Sequence, residues 1–506
     1  MKAEVNFTRR QLFHAAAGAA ATNARAADWQ IRPGRFTHEW KSLQQYRCPD
    51  WFRDAKFGIW AVWGPEAVPA AGGWYARDMY IEGSAQYKYH LEHYGHPSKF
   101  GYKDIIALWM AENWDPDRLM GLYKKAGAKY FAAIANHHDN FDCWNSKHHS
   151  WNSVQKGPKR DIVGEWRKAA LKHGLRFGVT EHNARSWSWF NVNKGADKQG
   201  PFVGVPYDGN DPKYADLYFP PHVENGQAYP KNPPESFIQN WFLRTRELID
   251  NYQPDLMYYD GGVPFGELGR KIVAHLYNRS IEWHGGKLEA VFNIKDWSNR
   301  NDHGEYREGT CVRDVERGGV SDIWPNPWQT DTCIGDWYYR RGLKYKAVSS
   351  VVHQLADIVS KNGNLLLSIP PKPDGSLDAD EEAFLEGMGK WIAVNGEAIY
   401  GTRPWKKYGE GPTQTGSGHM NESKVQYTAE DVRFTTKPGL LYAITLGVPS
   451  GSFTIRSLGG LQVKSVHLLG WHEPLRFRGN EQGLTVELPD HRSGEYALVL
   501  KIAGVG

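Results

Sequence analysis

A carboxylate at the end of an apolar run is the first group with the makings of a reactive site. Residues 255–260 read DLMYYD, and Asp260 is followed by Gly261 and Gly262. A strand ending in Asp with small residues beyond it leaves room for a ligand above the carboxylate, although a turn Asp before a Gly pair has the same sequence. A second carboxylate lies in RDVERGGV, where Glu316 follows Asp314 by two residues. Two carboxyl groups about 5 Å apart can run a double displacement at an acetal carbon, one as nucleophile and the other as acid and then base. The third cluster is Asn136-His137-His138-Asp139, at the end of the apolar run 129–136. Neighbouring side chains on a strand face opposite ways, so both imidazoles enter one pocket only if the strand stops before them. His90, His93 and His96 are spaced by three, which reads as an exposed helix or loop face. HExxH and CxxC are absent, and Cys48, Cys143, Cys311 and Cys333 lie far apart. Neither a zinc centre nor dithiol redox work is expected, while a disulfide of undefined pairing stays open.

Groups this far apart in sequence need a frame that gathers them. Residues 57–64 (FGIWAVWG), 129–136, 175–182 (LRFGVTEH), 255–260, 290–294 and 365–369 are short apolar runs of strand type. Helical patterns separate them: DPDRLMGLYKKAGA, with Asp115 at its start and Gly127 past its end, then 161–173, closed by Gly174, and about 235–252, 267–283 and 344–360. Apolar strands alternating with helices predict a parallel sheet covered on its outer face. A doubly wound sheet would satisfy the same alternation, but no GxGxxG follows the first strand and no GxxxxGK[ST] occurs. Polar residues gather just after the strands, where a (β/α)8 barrel keeps its site. The expected fold is therefore α/β: a barrel over 28–401, then an antiparallel β-sandwich over 402–506, where β-prone segments such as LLYAITL and YALVLKI recur between turns.

Composition narrows the function classes. Hydrophobic residues make 41% and charged residues 23% of the 506, with a net charge of +4, so neither a nucleic-acid groove nor a basic membrane face is indicated. No run of 18 apolar residues exists. The 22 Trp and 26 Tyr favour stacking on sugar faces, though they serve equally as core filler. Arg9-Arg10 precedes an Ala-rich stretch and Ala24-Arg25-Ala26. This has the form of a twin-arginine export signal over 1–27, which predicts work in the periplasm or outside the cell.

Several ordered segments then resemble one family. WFRDAKFGIWAVWG (51–64), GGWYARDMY (72–80), KYFAAIANHHDNFDCW (129–144), DLMYYDGG (255–262), the ERGG segment, PWQTDTCIGDWYY (327–339) and VSKNGNLLLSIPPKPDG (359–375) are similar to the α-L-fucosidases of glycoside hydrolase family 29. The resemblance covers roughly 35–505. It implies retaining hydrolysis of terminal α-L-fucose from glycans, with no metal or organic cofactor. It implies Asp260 as nucleophile and Glu316 as acid/base, with Asp314 the rival. His137 and His138 would hydrogen-bond fucose hydroxyls, and Trp63 and Trp74 would shape the pocket. Tyr258 in the strand-end Tyr-x-Asp segment is a further expected contact, as are Lys295 and Glu181, which stand at positions that depart from the family pattern.

The segments also depart from the family pattern. Val62 stands where the family has His, Gly73 where it has Glu, Thr180-Glu181 where it has a Tyr pair, Lys295 where it has Arg, and Gln329 where it has Glu. Each lost hydrogen bond to a substrate hydroxyl would weaken binding by about 0.5–1.5 kcal/mol. Glu181 and His182 are candidate replacements. An altered pocket leaves open a same-fold hydrolase for an L-galactoside or a sulfated fucoside, or a catalytically impaired carbohydrate-binding protein. Oligomeric state is not legible.

Overall fold

A computed structural model describes residues 29–295, 303–490 and 495–505. The twin-arginine-like segment 1–27 lies outside the described residues. Among the described residues, no helix is long and apolar enough to cross a membrane. Cys48, Cys143 and Cys333 are free thiols.

Eight parallel strands close a barrel in chain order: β1 (Phe57–Ala61), β2 (Tyr130–Asn136), β3 (Arg176–Glu181), β4 (Leu256–Tyr259), β5 (Val291–Lys295), β6 (Val312–Asp314), β7 (Trp328–Cys333) and β8 (Gly363–Ser368). β1 pairs with both β2 and β8, which seals the ring. Helices cover the outside, and their boundaries follow local chemistry. Asp115 caps Pro116–Lys125 by accepting from the N–H groups of Asp117 and Arg118 at 3.0 Å, and Asp161 caps Ile162–Lys172 through Gly164 N–H. Glu235–Tyr252 and Glu267–Trp283 span the residues that periodicity indicates.

β6 and β7 are not visible as apolar runs. They carry Arg313, Asp314, Gln329, Thr330, Asp331 and Thr332, yet all but Arg313 of these are buried. The barrel interior is polar on this side, which is where the site lies. The His90/His93/His96 expectation is also corrected. His90 is buried, its ring nitrogens 2.8 Å from the Tyr75 hydroxyl and the Phe100 carbonyl, and His96 is buried 3.2 Å from Asp197. Only His93 is exposed.

Beyond the barrel, β9 (Arg403–Glu410), β10 (Val432–Lys437), β11 (Leu440–Thr445), β13 (Ser465–Leu468) and β16 (Val499–Ala503) form one sheet in the order β13-β16-β11-β10-β9. β12 (Ser452–Ile455), β14 (Phe477–Asn480) and β15 (Gly483–Glu487) form a second in the order β12-β15-β14. Phe434, Leu441, Val466, Val486 and Leu500 share the core cluster of this region. β9 and β14 escape sequence reading because none of their residues is buried, so neither shows an apolar run or alternation. The five-stranded sheet leans on helix Val348–Ser360 through Arg433, whose Nε donates to Asp357 Oδ1 at 2.6 Å.

One buried pair fixes the chain just past β2. Arg244, on Glu235–Tyr252, donates from Nε and Nη2 to the two oxygens of Asp142 (3.0 and 2.5 Å) and from Nη1 to Asn140 Oδ1 (2.7 Å), with Arg244 and Asp142 both at most 1% exposed. Removing one partner strands a buried charge. Arg244→Met is expected to lower unfolding free energy by about 3–5 kcal/mol in urea titration. A loss below about 1 kcal/mol would show that water reaches the pair.

Candidate active site

Along a barrel strand alternate side chains point inward, and inward residues two apart stand one layer above the other. The site follows from this. Val62, His182, Asp260, Lys295 and Glu316, at or just past the C-terminal ends of β1, β3, β4, β5 and β6, line a cavity of about 1030 Å³. Two residues earlier, Thr180, Tyr258, Asn293 and Asp314 are fully buried beneath it. β2 ends at Asn136, so His137 and His138 escape strand alternation and both face the site: His137 lines the cavity and His138 touches Asp260.

Asp260 is the electrostatic centre. Lys295 Nζ lies 2.8 Å from its Oδ1, while His138 Nε2 (3.1 Å) and Arg185 Nη1 (3.4 Å) approach Oδ2. Burial opposes its ionisation, but Arg185 and Lys295 overcome that and hold the carboxyl well below its ordinary range. Glu316 behaves oppositely. Burial pushes it up and Asp331 and Asp260 add to this, so its pKa is raised although Lys295 pulls the other way. Lys295 joins the two, with Nζ 3.0 Å from Glu316 Oε2 and 3.4 Å from Asp331 Oδ2. Burial works against its charge, yet these carboxylates keep it well above the ordinary lysine value. Because Asp260 Oδ1 and Glu316 Oε2 lie 2.8 and 3.0 Å from one nitrogen, they are at most their sum, about 5.8 Å, apart. Retaining glycosidases hold their carboxyls about 5–5.5 Å apart and inverting ones about 6.5–9.5 Å.

The layers also separate Glu316 from Asp314. Asp314 accepts from Gln329 Nε2 (2.8 Å) under the cavity floor, and burial with Asp331 beside it raises its pKa strongly. Gln329 sits in this lower layer, so its departure from the family pattern removes nothing from the cavity wall.

Three expected contacts are corrected by the same alternation. Trp63 points outward from Val62, packs on Trp109 and Trp114, and donates its indole N–H to the Lys372 carbonyl (2.8 Å). Trp60 lines the cavity instead. Glu181 points outward from His182 and accepts from Trp241 Nε1 (3.1 Å) and Asn183 N (2.7 Å). Tyr258 lies beneath Asp260, its hydroxyl donating to Asp331 (3.1 Å). Trp74 does line the cavity, with its backbone in the left-handed region at φ 63°. A bulky residue persists there only where its surroundings over-determine it.

Several site residues are not among the expected contacts. Glu66 is fully buried, 2.5 Å from His137 Nδ1. Burial disfavours the imidazolium, but Glu66 outweighs it and raises the His137 pKa. Its signal was available: Glu66 is the only charged residue in 57–73. Arg185, Trp337 and Met420 also line the cavity, from loops whose fold placement is not local. His182 is buried with no protein hydrogen-bond partner on either ring nitrogen, and burial pulls its pKa well down, leaving it neutral.

His182 is also the third imidazole that a metal site would need, since one nitrogen each of His137, His138 and His182 fall within 4.8 Å of one another. The His138 Nδ1 donates to the His182 carbonyl (2.7 Å), leaving only Nε2, which faces Asp260. A cation there would cover the carboxylate that the other charges converge on. A sulfate on Lys295 is equally ill-suited, because its three N–H donors already meet three carboxylates.

Comparison with known proteins agrees with this geometry. Residues 23–397 match the family model described as α-L-fucosidase, and residues 425–503 match the α-L-fucosidase C-terminal domain. The chain belongs to the α-L-fucosidase family. It is thus a glycoside hydrolase. An α-L-fucosidase of Branchiostoma floridae is 30% identical over 93% of this chain and 96% of its own length. The human plasma α-L-fucosidase is 31% identical over 90% and 89%. Among solved structures, a Thermotoga maritima α-fucosidase in complex with fucose superposes with a TM-score of 0.72 at 29% identity, covering 92% of this chain and all of that one.

Proposed function

We propose that the chain is a retaining exo-α-L-fucosidase working by double displacement. The observation that carries this reading is the Asp260–Lys295–Glu316 contact, with one carboxyl held low and the other high on a single ammonium. Asp260 attacks C1 as the C1–O bond breaks, and Glu316 gives its proton to the departing oxygen. The glycosyl ester carries no charge on Asp260, so Lys295 is left to support Glu316 as a carboxylate. Glu316 then takes a proton from water, which attacks C1 and returns Asp260 to its ionised form. His137, His138, His182 and Trp74 would hold the sugar, with His182 supplying an imidazole on a wall where Val62 has none. A cavity of about 1030 Å³ leaves room for the group to which fucose is attached. Export by the twin-arginine route belongs to the same reading, supported by Arg9-Arg10 and the Ala-rich stretch after it.

The test is turnover of 4-nitrophenyl glycosides. The α-L-fucoside is expected to be hydrolysed, with the α-L-galactoside slower by about 10–200-fold, the range that one apolar contact supports. Preference for the galactoside would replace fucose as the substrate. Tight binding without turnover would make the chain a binder.

A further inference from the structure

Glu316 does not sit on a strand, and what fixes it comes from outside the barrel. Between β9 and β10 the chain leaves the C-terminal sheet for residues 411–431, about 20 residues where about 4–6 are usual. Asp431 closes the base of this excursion, accepting from the N–H groups of Thr413 (2.9 Å) and Thr428 (2.8 Å). Its tip meets the loop after β6 through an antiparallel bridge between Gly319 and Gly418. Gly418 N donates to the Gly319 carbonyl (3.0 Å), Met420 N to the Glu316 carbonyl (2.8 Å) and Glu422 N to the Arg317 carbonyl (3.0 Å). In return Glu316 N donates to Nδ1 of His419 (2.9 Å). Both backbone polar groups of Glu316 therefore end on this strap.

Its far end is anchored by charge. The Glu422 carboxylate accepts from Arg317 Nε (2.8 Å), the Thr332 hydroxyl (2.7 Å) and the Lys346 ammonium (2.9 Å). The two facing segments each hold a non-glycine residue in the left-handed region, Arg317 at φ 44° and Met420 at φ 57°. Such conformations mark segments that their surroundings over-determine. A side chain at Gly318 would place its Cβ 2.0 Å from the Gly418 carbonyl oxygen, so the small residue in ERGG is required by the strap.

We propose that residues 416–422 are a positioning element for the acid/base, with His419 the residue that sets the Glu316 backbone. The inference rests on the reading of Glu316 as acid/base. It gives the C-terminal region a part in the chemistry without any contact between its sandwich and sugar. A carboxyl that must meet the departing oxygen tolerates little displacement, since about 1 Å can cost about 10²-fold in rate. The Met420 side chain lines the cavity beside Glu316, so the strap also borders the space through which the leaving group departs.

The test compares kcat/KM for 2,4-dinitrophenyl and phenyl α-L-fucosides. The first leaving group departs without a proton and the second needs one. His419→Ala is expected to lower kcat/KM for the phenyl fucoside by about 30–100-fold and leave the dinitrophenyl fucoside within about threefold. His419→Asn, whose amide oxygen can accept from Glu316 N, should restore most of the loss. Glu422→Gln should show the same selectivity more weakly. Equal loss on both substrates, or none, in both His419→Ala and Glu422→Gln would overturn the positioning role. Glu316→Ala run alongside separates the two levels: if it is selective and the strap variants are not, only this inference fails. If Glu316→Ala is itself unselective, the acid/base reading falls and the proposal with it.

Discussion

Asp260→Ala is expected to reduce kcat/KM by at least about three orders of magnitude, or about 4 kcal/mol of transition-state stabilisation, and azide should restore turnover. The reason is geometric. Asp260 is the carboxylate on which Lys295, His138 and Arg185 converge. Azide entering the space vacated by Asp260 attacks C1 from the same face, so the product should be the β-L-fucosyl azide. The variant also leaves Arg185 without the anion it faces and Lys295 with two of its three carboxylates. A stability loss of roughly 3–5 kcal/mol is expected beside the loss of activity. Folded protein must therefore be confirmed by its unfolding curve before the rates are compared. Wild-type-like turnover in folded Asp260→Ala would remove it from the reaction.

The second large effect belongs to Glu316. General acid catalysis contributes about 10²–10⁴-fold, so Glu316→Ala should lose that much on fucosides with poor leaving groups and little on activated ones in the first step. The pH profile carries a separate signature. Glu316 must be protonated for the first step, and its pKa is raised, so kcat/KM should fall as pH rises through a value above the ordinary glutamate range. Asp260 must be ionised and is held low, so the acid limb should lie below the ordinary aspartate range. Glu316→Gln should abolish the basic limb and keep the acid one. Asp314→Asn should leave the basic limb in place, because Asp314 is under the floor and bonded to Gln329. A basic limb that survives in Glu316→Gln and vanishes in Asp314→Asn would exchange the two assignments.

The sequence made Asp260 legible because β4 is an uninterrupted apolar run and the Gly pair follows directly. Helix boundaries were legible where caps and periodicity coincide, as at Asp115 and Asp161. β6 and β7 were not, for a physical reason: the side chains that make the site polar are the ones that break the strand pattern. The inward or outward sense of a residue was knowable only once strand ends were fixed. Trp63 and Glu181 therefore turn away from the pocket that their sequence positions suggest, while His137 and His138 share it. The strap over Glu316 had no local signal at all, since its two halves are about 100 residues apart and meet through backbone groups that every residue carries.

The central claim is that substitution at C1 occurs twice. Hydrolysis of an aryl α-L-fucoside followed by proton NMR from the first minute reads this directly, through the anomeric signal of newly released fucose. The account predicts α-L-fucose first, with the β anomer growing in only by mutarotation. β-L-Fucose appearing first would mean a single displacement by water, and would contradict a covalent role for Asp260.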